Sequence, residues 1–269
     1  MTRLAEVIKQ LETAYPPDRA ESWDAVGLVS GDLEQPVRRV LFAVDPVPAV
    51  AEEALAWGAD LIVVHHPLYL RGTTSVATTS YKGRMLHGLI KHDIALYTAH
   101  TNADVANPGV SDALARAVGL VGDLVPLQPF PDDPWRGLGR IGDLPAQVTL
   151  AEFAQAALGG LPETARGVWF AGDPDRPVRR VAVSGGSGDS LLGAARAAGV
   201  DAFLTADLRH HPASEFVETG GPALLDAPHW ATEWPWLPTA AALLDGSGLQ
   251  VETRVSTLVT DAWTQAART

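Results

Sequence analysis

The sequence predicts an α/β protein built from two related α/β lobes. Apolar segments typical of buried strands alternate with segments of helical periodicity in the first half of the chain, and the alternation starts again further on. Strand–helix–strand alternation favours a largely parallel sheet with helices on its faces. We therefore expect lobes over residues 1–127 and 128–269, produced by an internal duplication, with a metal site in the cleft between them.

The elements of the first lobe follow from local patterns. Residues 1–15 carry apolar side chains at the spacing of an amphipathic helix, without the continuous apolar run of a signal peptide. Gly58 is a helix stop before a short, wholly apolar strand. The predicted order is strand Val37–Asp45, helix Val47–Trp57, strand Asp60–Val64, helix Tyr81–Lys91, strand Ile94–Thr98 and a helix around Val110–Val118.

The segment 122–143 is rich in Pro, Gly and Asp and interrupts this periodicity, which makes it the best boundary between the lobes. Beyond it, Val178–Val183 repeats the VRRV run of the first strand. An offset of 141 aligns 37–60 with 178–201 at eight of 24 positions, including Asp60 with Asp201. This repeat indicates the duplication.

Composition excludes several classes of protein. The net charge is −12 and no stretch concentrates Lys and Arg, so we do not expect non-specific wrapping of DNA, and nucleic-acid binding is left to a local basic patch on an assembled oligomer. The chain has no cysteine, which excludes disulfides, iron–sulfur clusters and thiolate ligands. No apolar run is long enough to span a membrane, and a cytoplasmic location is the expectation. Any bound metal ion would therefore be held by imidazole and carboxylate ligands.

Histidines and carboxylates follow three predicted strands. His65 and His66 come directly after one strand, His100 and Asp104 follow the next, and His229 and Glu233 follow a strand at 223–226. Ligands in parallel sheets bind outside the carboxyl ends of the strands. Such a donor set suits Zn²⁺, Mn²⁺, Fe²⁺, Co²⁺ or Ni²⁺, and it exceeds the three protein ligands of one open catalytic ion. Two divalent ions per chain are the economical interpretation.

Each motif taken singly has a simpler explanation. The His65–His66 pair is compatible with an ordinary loop before Pro67. Asp104 is compatible with a turn or a helix cap, and Glu233 with the first turn of a helix. His100 is open to interpretation as a general acid or base or as a core histidine. It is the combination that favours a metal centre.

Other residues carry weaker hypotheses. The run Ser184–Gly188 offers backbone N–H groups of Gly185, Gly186 and Ser187 to a phosphate or carboxylate, although a tight turn between strand and helix is the simpler explanation. His210 and His211 copy the earlier histidine pair but align with no predicted ligand. Asp24 and Asp207 are candidates for orienting a ligand or a substrate.

Five motifs together resemble the NIF-three-like family, whose members are also called dinuclear metal-centre hexameric proteins and GTP cyclohydrolase I type 2 homologues. They are WDAVGL at 23–28, HHP at 65–67, HTNAD at 100–104, TADLRHH at 205–211 and HWATE at 229–233. The resemblance implies a bimetal site with ligands His65, His66, Asp104, His229 and Glu233. It also implies two α/β lobes and a homohexamer. Ala25, Ala206 and Pro228 depart from the family pattern.

Two functions follow as hypotheses. The first is a metal-dependent hydrolase, resembling the GTP cyclohydrolase I type 2 homologues, in which a metal-activated water acts on a nucleotide or related small molecule. The second is a non-catalytic ring scaffold that binds metal and presents a surface to a protein or nucleic-acid partner. An open coordination position distinguishes the enzyme from the scaffold.

Overall fold

Two units with separate sheets make up the computed structural model, which describes residues 1–267. The first unit consists of Met1–Ala103 and Leu237–Thr260. The second consists of Asp104–Trp236 and residues 261–267. The α/β fold class is confirmed. The chain crosses between the units at 103/104, 236/237 and 260/261, and the predicted division at 127/128 lies inside a strand of the second unit.

The first unit holds a five-stranded sheet in the order β1-β4-β3-β2-β11. Its strands are β1 Gly27–Ser30, β2 Arg39–Ala43, β3 Leu61–Val64, β4 Ala95–Thr98 and β11 Glu252–Val255. Four of them run parallel, and β1 pairs antiparallel with β4. The accompanying helices are α1 Leu4–Ala14, α2 Pro48–Trp57 and α3 Tyr81–Lys91, whereas α4 Thr101–Asp104 and α10 Trp236–Asp245 cross the unit boundaries.

The central strands of this sheet are covered on both faces. Every residue of β3 and β4 is buried, which explains why both read as continuous apolar runs rather than as alternating patterns. Residues from β2, β3 and β4 form one hydrophobic core with α2 and α3. The left-handed Gly58, at φ 73°, ends α2 just before β3, as the sequence predicts.

The second unit holds a six-stranded mixed sheet in the order β5-β6-β8-β9-β10-β7. Its strands are β5 Val121–Pro129, β6 Gly137–Thr149, β7 Trp169–Ala171, β8 Pro177–Ser187, β9 Ala202–Ala206 and β10 Ala223–Asp226. Its helices are α5 Val110–Ala117, α6 Leu150–Gly160, α7 Leu192–Ala197, α8 His210–Glu218 and α9 His229–Glu233. Only β8, β9 and β10 are parallel among its paired strands in the described chain.

The Pro- and Gly-rich boundary segment forms most of an antiparallel hairpin. β5 and β6 pair with irregular register, and β6 continues the ladder to β8. Gly137 lies so close to β5 that a Cβ would meet the carbonyl oxygen of Gln128 at 2.1 Å. The glycine that suggested a loop therefore allows two backbones to approach closely.

The same hydrogen bonds recur in the two units. Asp60 Oδ2 accepts from the backbone N–H groups of Arg38 and Arg39, and Asp201 Oδ2 accepts from those of Arg179 and Arg180. Asp60 lies just before β3 and holds the first part of β2, and Asp201 lies just before β9 and holds the first part of β8. A duplication predicts such a repeat, and common ancestry of the units stays a prediction.

No helix within residues 1–267 is long and apolar enough to cross a membrane.

Candidate metal centre

Three histidines of the first unit form a cluster at the carboxyl ends of two parallel strands. His65 and His66 directly follow β3, and His100 follows β4 after one residue. The parallel pairing of Val64 with Thr98 brings these strand ends to the same edge. One ring nitrogen from each histidine lies within 4.8 Å of the other two, a separation suited to a shared metal ion.

Each ring of this cluster is oriented through its Nδ1 atom. His65 Nδ1 donates to the Ala99 carbonyl oxygen at 2.9 Å, and His66 Nδ1 donates to Asp45 Oδ1 at 2.7 Å. His100 Nδ1 donates to Asp24 Oδ1 at 2.8 Å. A neutral histidine that donates from Nδ1 carries its lone pair on Nε2, the atom that then binds a metal.

Asp24 connects His100 to the start of α4. Its second carboxylate oxygen accepts hydrogen bonds from the backbone N–H and the hydroxyl of Thr101. Burial raises the pKa of Asp24, but the hydrogen bonds from His100 and Thr101 lower it more, so that the pKa lies well below its usual value. Asp24 is therefore ionised at neutral pH and holds the His100 ring in place.

The second unit contains a matching group around His229. Its Nδ1 donates to Asp207 Oδ2 at 2.6 Å, and its Nε2 lies 2.9 Å from Glu233 Oε1, one helical turn along α9. Burial lowers the pKa of His229, but the negative charge of Glu233 and the hydrogen bonds to Asp207 and Glu233 outweigh this effect and raise the pKa to about 11. The hydrogen bond from His229 in turn lowers the pKa of Asp207.

Gly186, at the end of β8, packs against this group. Its φ is 65°, and a Cβ on it would lie 2.6 Å from Glu233 Oε1 and 3.3 Å from His229 Nε2. Its N–H donates to Thr232 Oγ1 at 3.0 Å, and the N–H of Gly185 donates to Ser111 Oγ. Two N–H groups that the sequence assigned to an anion therefore have acceptors within the chain. Anion binding by Gly185, Gly186 and Ser187 stays a prediction.

The remaining candidates are distributed as follows. Asp104 ends α4, four residues after His100, and belongs to neither the three-histidine cluster nor the His229–Glu233 pair. His210 and His211 begin α8 and are exposed. His100 lies one residue before α4, whereas His229 is the first residue of α9.

Sequence reasoning missed the group that orients His66. Asp45 closely follows β2, the strand beside β3, and it also accepts a hydrogen bond from Thr260. Its position after a parallel strand was the available signal, because side chains after neighbouring parallel strands meet at one edge. The Ala99 carbonyl that orients His65 is a backbone group and leaves no signal in the sequence.

The donor set fits a divalent metal ion. The rings of His65, His66, His100 and His229 are each fixed by a carboxylate or carbonyl at Nδ1, which is how metal-binding histidines are held. The carboxylates that stabilise a proton on His229 would also stabilise a cation bound at Nε2. Imidazole and carboxylate without thiolate suit Zn²⁺, Mn²⁺, Fe²⁺, Co²⁺ or Ni²⁺.

The sequence pattern of the Duf34/NIF3 (NGG1p interacting factor 3) family matches residues 2–262. The chain belongs to the DUF34/NIF3 family. This confirms the resemblance drawn from the five motifs.

Relatives and solved structures agree with the DUF34/NIF3 assignment. The "GTP cyclohydrolase 1 type 2 homolog" of Streptomyces coelicolor is 59% identical over 98% of this chain and 94% of the relative. The protein of that name from Mycobacterium tuberculosis is 38% identical over 97% of this chain and 96% of its own length. A crystal structure of a Bacillus cereus protein related to NIF3 has a TM-score of 0.90 at 25% identity, covering 98% of this chain and 99% of that one.

Proposed function

We propose that this protein is a metal-dependent hydrolase with two divalent ions held by His65, His66, Asp104, His229 and Glu233. The observation that carries the proposal is the uniform anchoring of the histidine rings at Nδ1, which orients Nε2 for coordination. Bound divalent ions supply Lewis acidity and a water molecule of lowered pKa for attack on a substrate.

The residues of the chain divide the remaining work. Asp45 and Asp207 orient His66 and His229, and the hydrogen bond and charge of Asp207 help to raise the pKa of His229. His100 shares the edge of the sheet with His65 and His66 and is held by Asp24. We assign it the transfer of a proton to or from the substrate, since a carboxylate that fixes one ring nitrogen leaves the other for acid–base chemistry.

A nucleotide is the proposed substrate class, as the name of the Streptomyces relative suggests, and the reaction is hydrolytic opening or cleavage by water. A homohexamer, suggested by the family resemblance, is part of the proposal, and its test is the molar mass in solution.

Metal content is the first test. Protein stripped of metal and reloaded with Zn²⁺, Mn²⁺, Fe²⁺, Co²⁺ or Ni²⁺ is expected to hold two ions per chain by elemental analysis. His65→Ala and Glu233→Ala should each reduce that number, whereas the exposed His87→Ala on α3 should not. Fewer than about one ion per chain in the wild type would contradict a dinuclear centre.

Activity is the second test. The metal-loaded forms are assayed against GTP, other nucleotides and simple phosphoesters. His100→Ala should keep its metal and lose turnover, and loss of metal instead would make His100 a ligand. Inactivity of every metal form against every substrate, with metal bound, would reject the hydrolase and leave the scaffold.

A further inference from the structure

An open pocket of about 580 Å³ lies over the loop that follows His66 and the first turn of α3. This volume is within the range of small-molecule sites in proteins. The lining contains two cations, two tyrosines and four hydroxyl side chains. The cations are Arg71 and Lys82, and the tyrosines are Tyr69 and Tyr81.

The charge of the pocket is opposite to that of the chain. The protein has 32 acidic and 20 basic residues, yet no Asp or Glu is among the residues that line this pocket. Within residues 1–267, neither Arg71 nor Lys82 has a carboxylate within the 4.0 Å of an ion pair. Lys82 Nζ instead lies 5.8 Å from the ring centre of Tyr69 and 5.9 Å from that of Tyr81. Both cations are available to an anionic ligand.

The loop has a defined shape. Ser80 Oγ accepts from the N–H of Gly83 and caps α3, and Arg84 donates to the carbonyl of Thr78 at 3.1 Å. A Cβ on Gly83 would lie 1.9 Å from the carbonyl oxygen of Ala77, so only glycine lets the loop approach the helix this closely. The pocket is thus formed by a loop fastened to α3.

The pocket lies at the same edge of the sheet as the three-histidine cluster. Because β3 and β4 are parallel and α3 connects them, the N-terminus of α3 lies at the carboxyl ends of the strands. The positive end of its dipole adds to the charge of Arg71 and Lys82. Tyr69 is three residues after His66, and their Cα atoms are therefore no more than about 11 Å apart.

We infer that this pocket binds the phosphate groups of a small-molecule ligand, with Arg71 and Lys82 as the charged contacts. Guanidinium and ammonium groups are the usual partners of phosphate oxygens. The identification of this ligand as the substrate rests on the proposed function, since the pocket would then place a phosphorylated substrate beside the histidines. Binding of phosphate in the pocket itself needs no metal.

The test measures binding of inorganic tripolyphosphate to metal-free protein by isothermal titration calorimetry. Arg71→Gln and Lys82→Gln should each weaken binding about tenfold, as expected for loss of one charged hydrogen bond. Thr79→Glu, which adds a carboxylate to the exposed lining, should weaken it at least as much. The matched control is Lys91→Gln, the same change of charge in the last turn of α3, and it should leave the affinity unchanged.

Absence of wild-type binding, or equal weakening by Lys91→Gln, would overturn the inference. A second measurement separates this outcome from failure of the proposed function. With metal bound, Arg71→Gln should raise KM for a nucleoside triphosphate with kcat and metal content unchanged. If no metal form hydrolyses any of the tested substrates but tripolyphosphate binding follows the pattern above, the pocket stands and the hydrolase is rejected. Tighter binding of the nucleoside triphosphate than of tripolyphosphate identifies a nucleotide as the ligand.

Discussion

Asp45 offers the sharpest test of how the metal centre is built. Its carboxylate accepts a hydrogen bond from His66 Nδ1 at 2.7 Å, and both side chains are 23% exposed. Replacing Asp45 by Asn keeps an acceptor of similar shape but removes the charge, whereas Ala removes both. Neither change touches a predicted ligand, so an effect on metal binding must pass through the orientation of the His66 ring and the negative charge beside it.

The expected size follows from this geometry. Removing the group that orients a metal-binding histidine typically lowers metal affinity by about 10- to 100-fold. We expect Asp45→Asn near the lower value and Asp45→Ala near the upper value, equivalent to about 1.4 and 2.8 kcal/mol. Because the pair is partly exposed, the stability of the metal-free protein should change by no more than about 1 kcal/mol.

The assay is competition for Zn²⁺ or Mn²⁺ against a chelator of known affinity, with thermal unfolding of the metal-free protein alongside. Asp18→Asn, an exposed carboxylate of the same unit, is the matched control and should bind metal like the wild type. Wild-type affinity in Asp45→Ala would refute the reasoning, since it would show that His66 needs no carboxylate partner.

Three further predictions concern the second unit and the repeated aspartates. Gly186→Ala should abolish metal binding, because its Cβ would occupy the space beside Glu233 Oε1. The control is Gly199→Ala, at a similar φ of 63° and with no atom within 4 Å of the added Cβ. It should lower the free energy of unfolding by only the cost of a left-handed residue, about 1–2 kcal/mol, and should keep its metal. Equal loss of metal in Gly186→Ala and Gly199→Ala would contradict the steric argument. Arg140→Met should lower the free energy of unfolding, measured in denaturant, by about 3–5 kcal/mol. The reason is that the fully buried guanidinium pairs with Asp112 and donates to three backbone carbonyls. The control is Arg179→Met at an exposed position, which should lower the free energy of unfolding by less than about 0.5 kcal/mol. Asp60→Ala and Asp201→Ala should each lower the free energy of unfolding by about 1–2 kcal/mol in the same measurement, because each removes the acceptor of two backbone N–H groups. A large difference between the two variants would argue against equivalent roles for the two aspartates.

The parts of the fold that depend on local pattern were predictable from the sequence. The prediction for α3 agrees with the observed Tyr81–Lys91, since Ser80 provides the cap and the apolar side chains have helical spacing. The buried strands β3 and β4 were recognisable because they are apolar throughout. Histidines directly after such strands predicted the His65–His66 part of the candidate site before any geometry was known.

The parts that depend on distant pairing were not predictable. β11 completes the first sheet by pairing with β2 across some two hundred residues, and its sequence, Glu252–Val255, carries no sign of its partner. The β5–β6 hairpin was hidden because its glycines serve close backbone approach rather than a loop. The contact of Asp45 with His66 likewise depends on which strands are neighbours.

Because the chain returns to its first unit, that unit is completed only after most of the second unit has been made. A ribosome makes Asp104–Trp236 before Leu237–Thr260, so most of the later unit is made while the earlier one still lacks its edge strand. Until then the β2 edge is open, and open edges invite wrong pairing. Thr260, whose hydroxyl donates a hydrogen bond to Asp45, is the last residue of Leu237–Thr260 to be made. The surroundings of His66 are thus finished only after Thr260 has been made, and binding of metal by His66 is expected to follow synthesis of this segment rather than precede it.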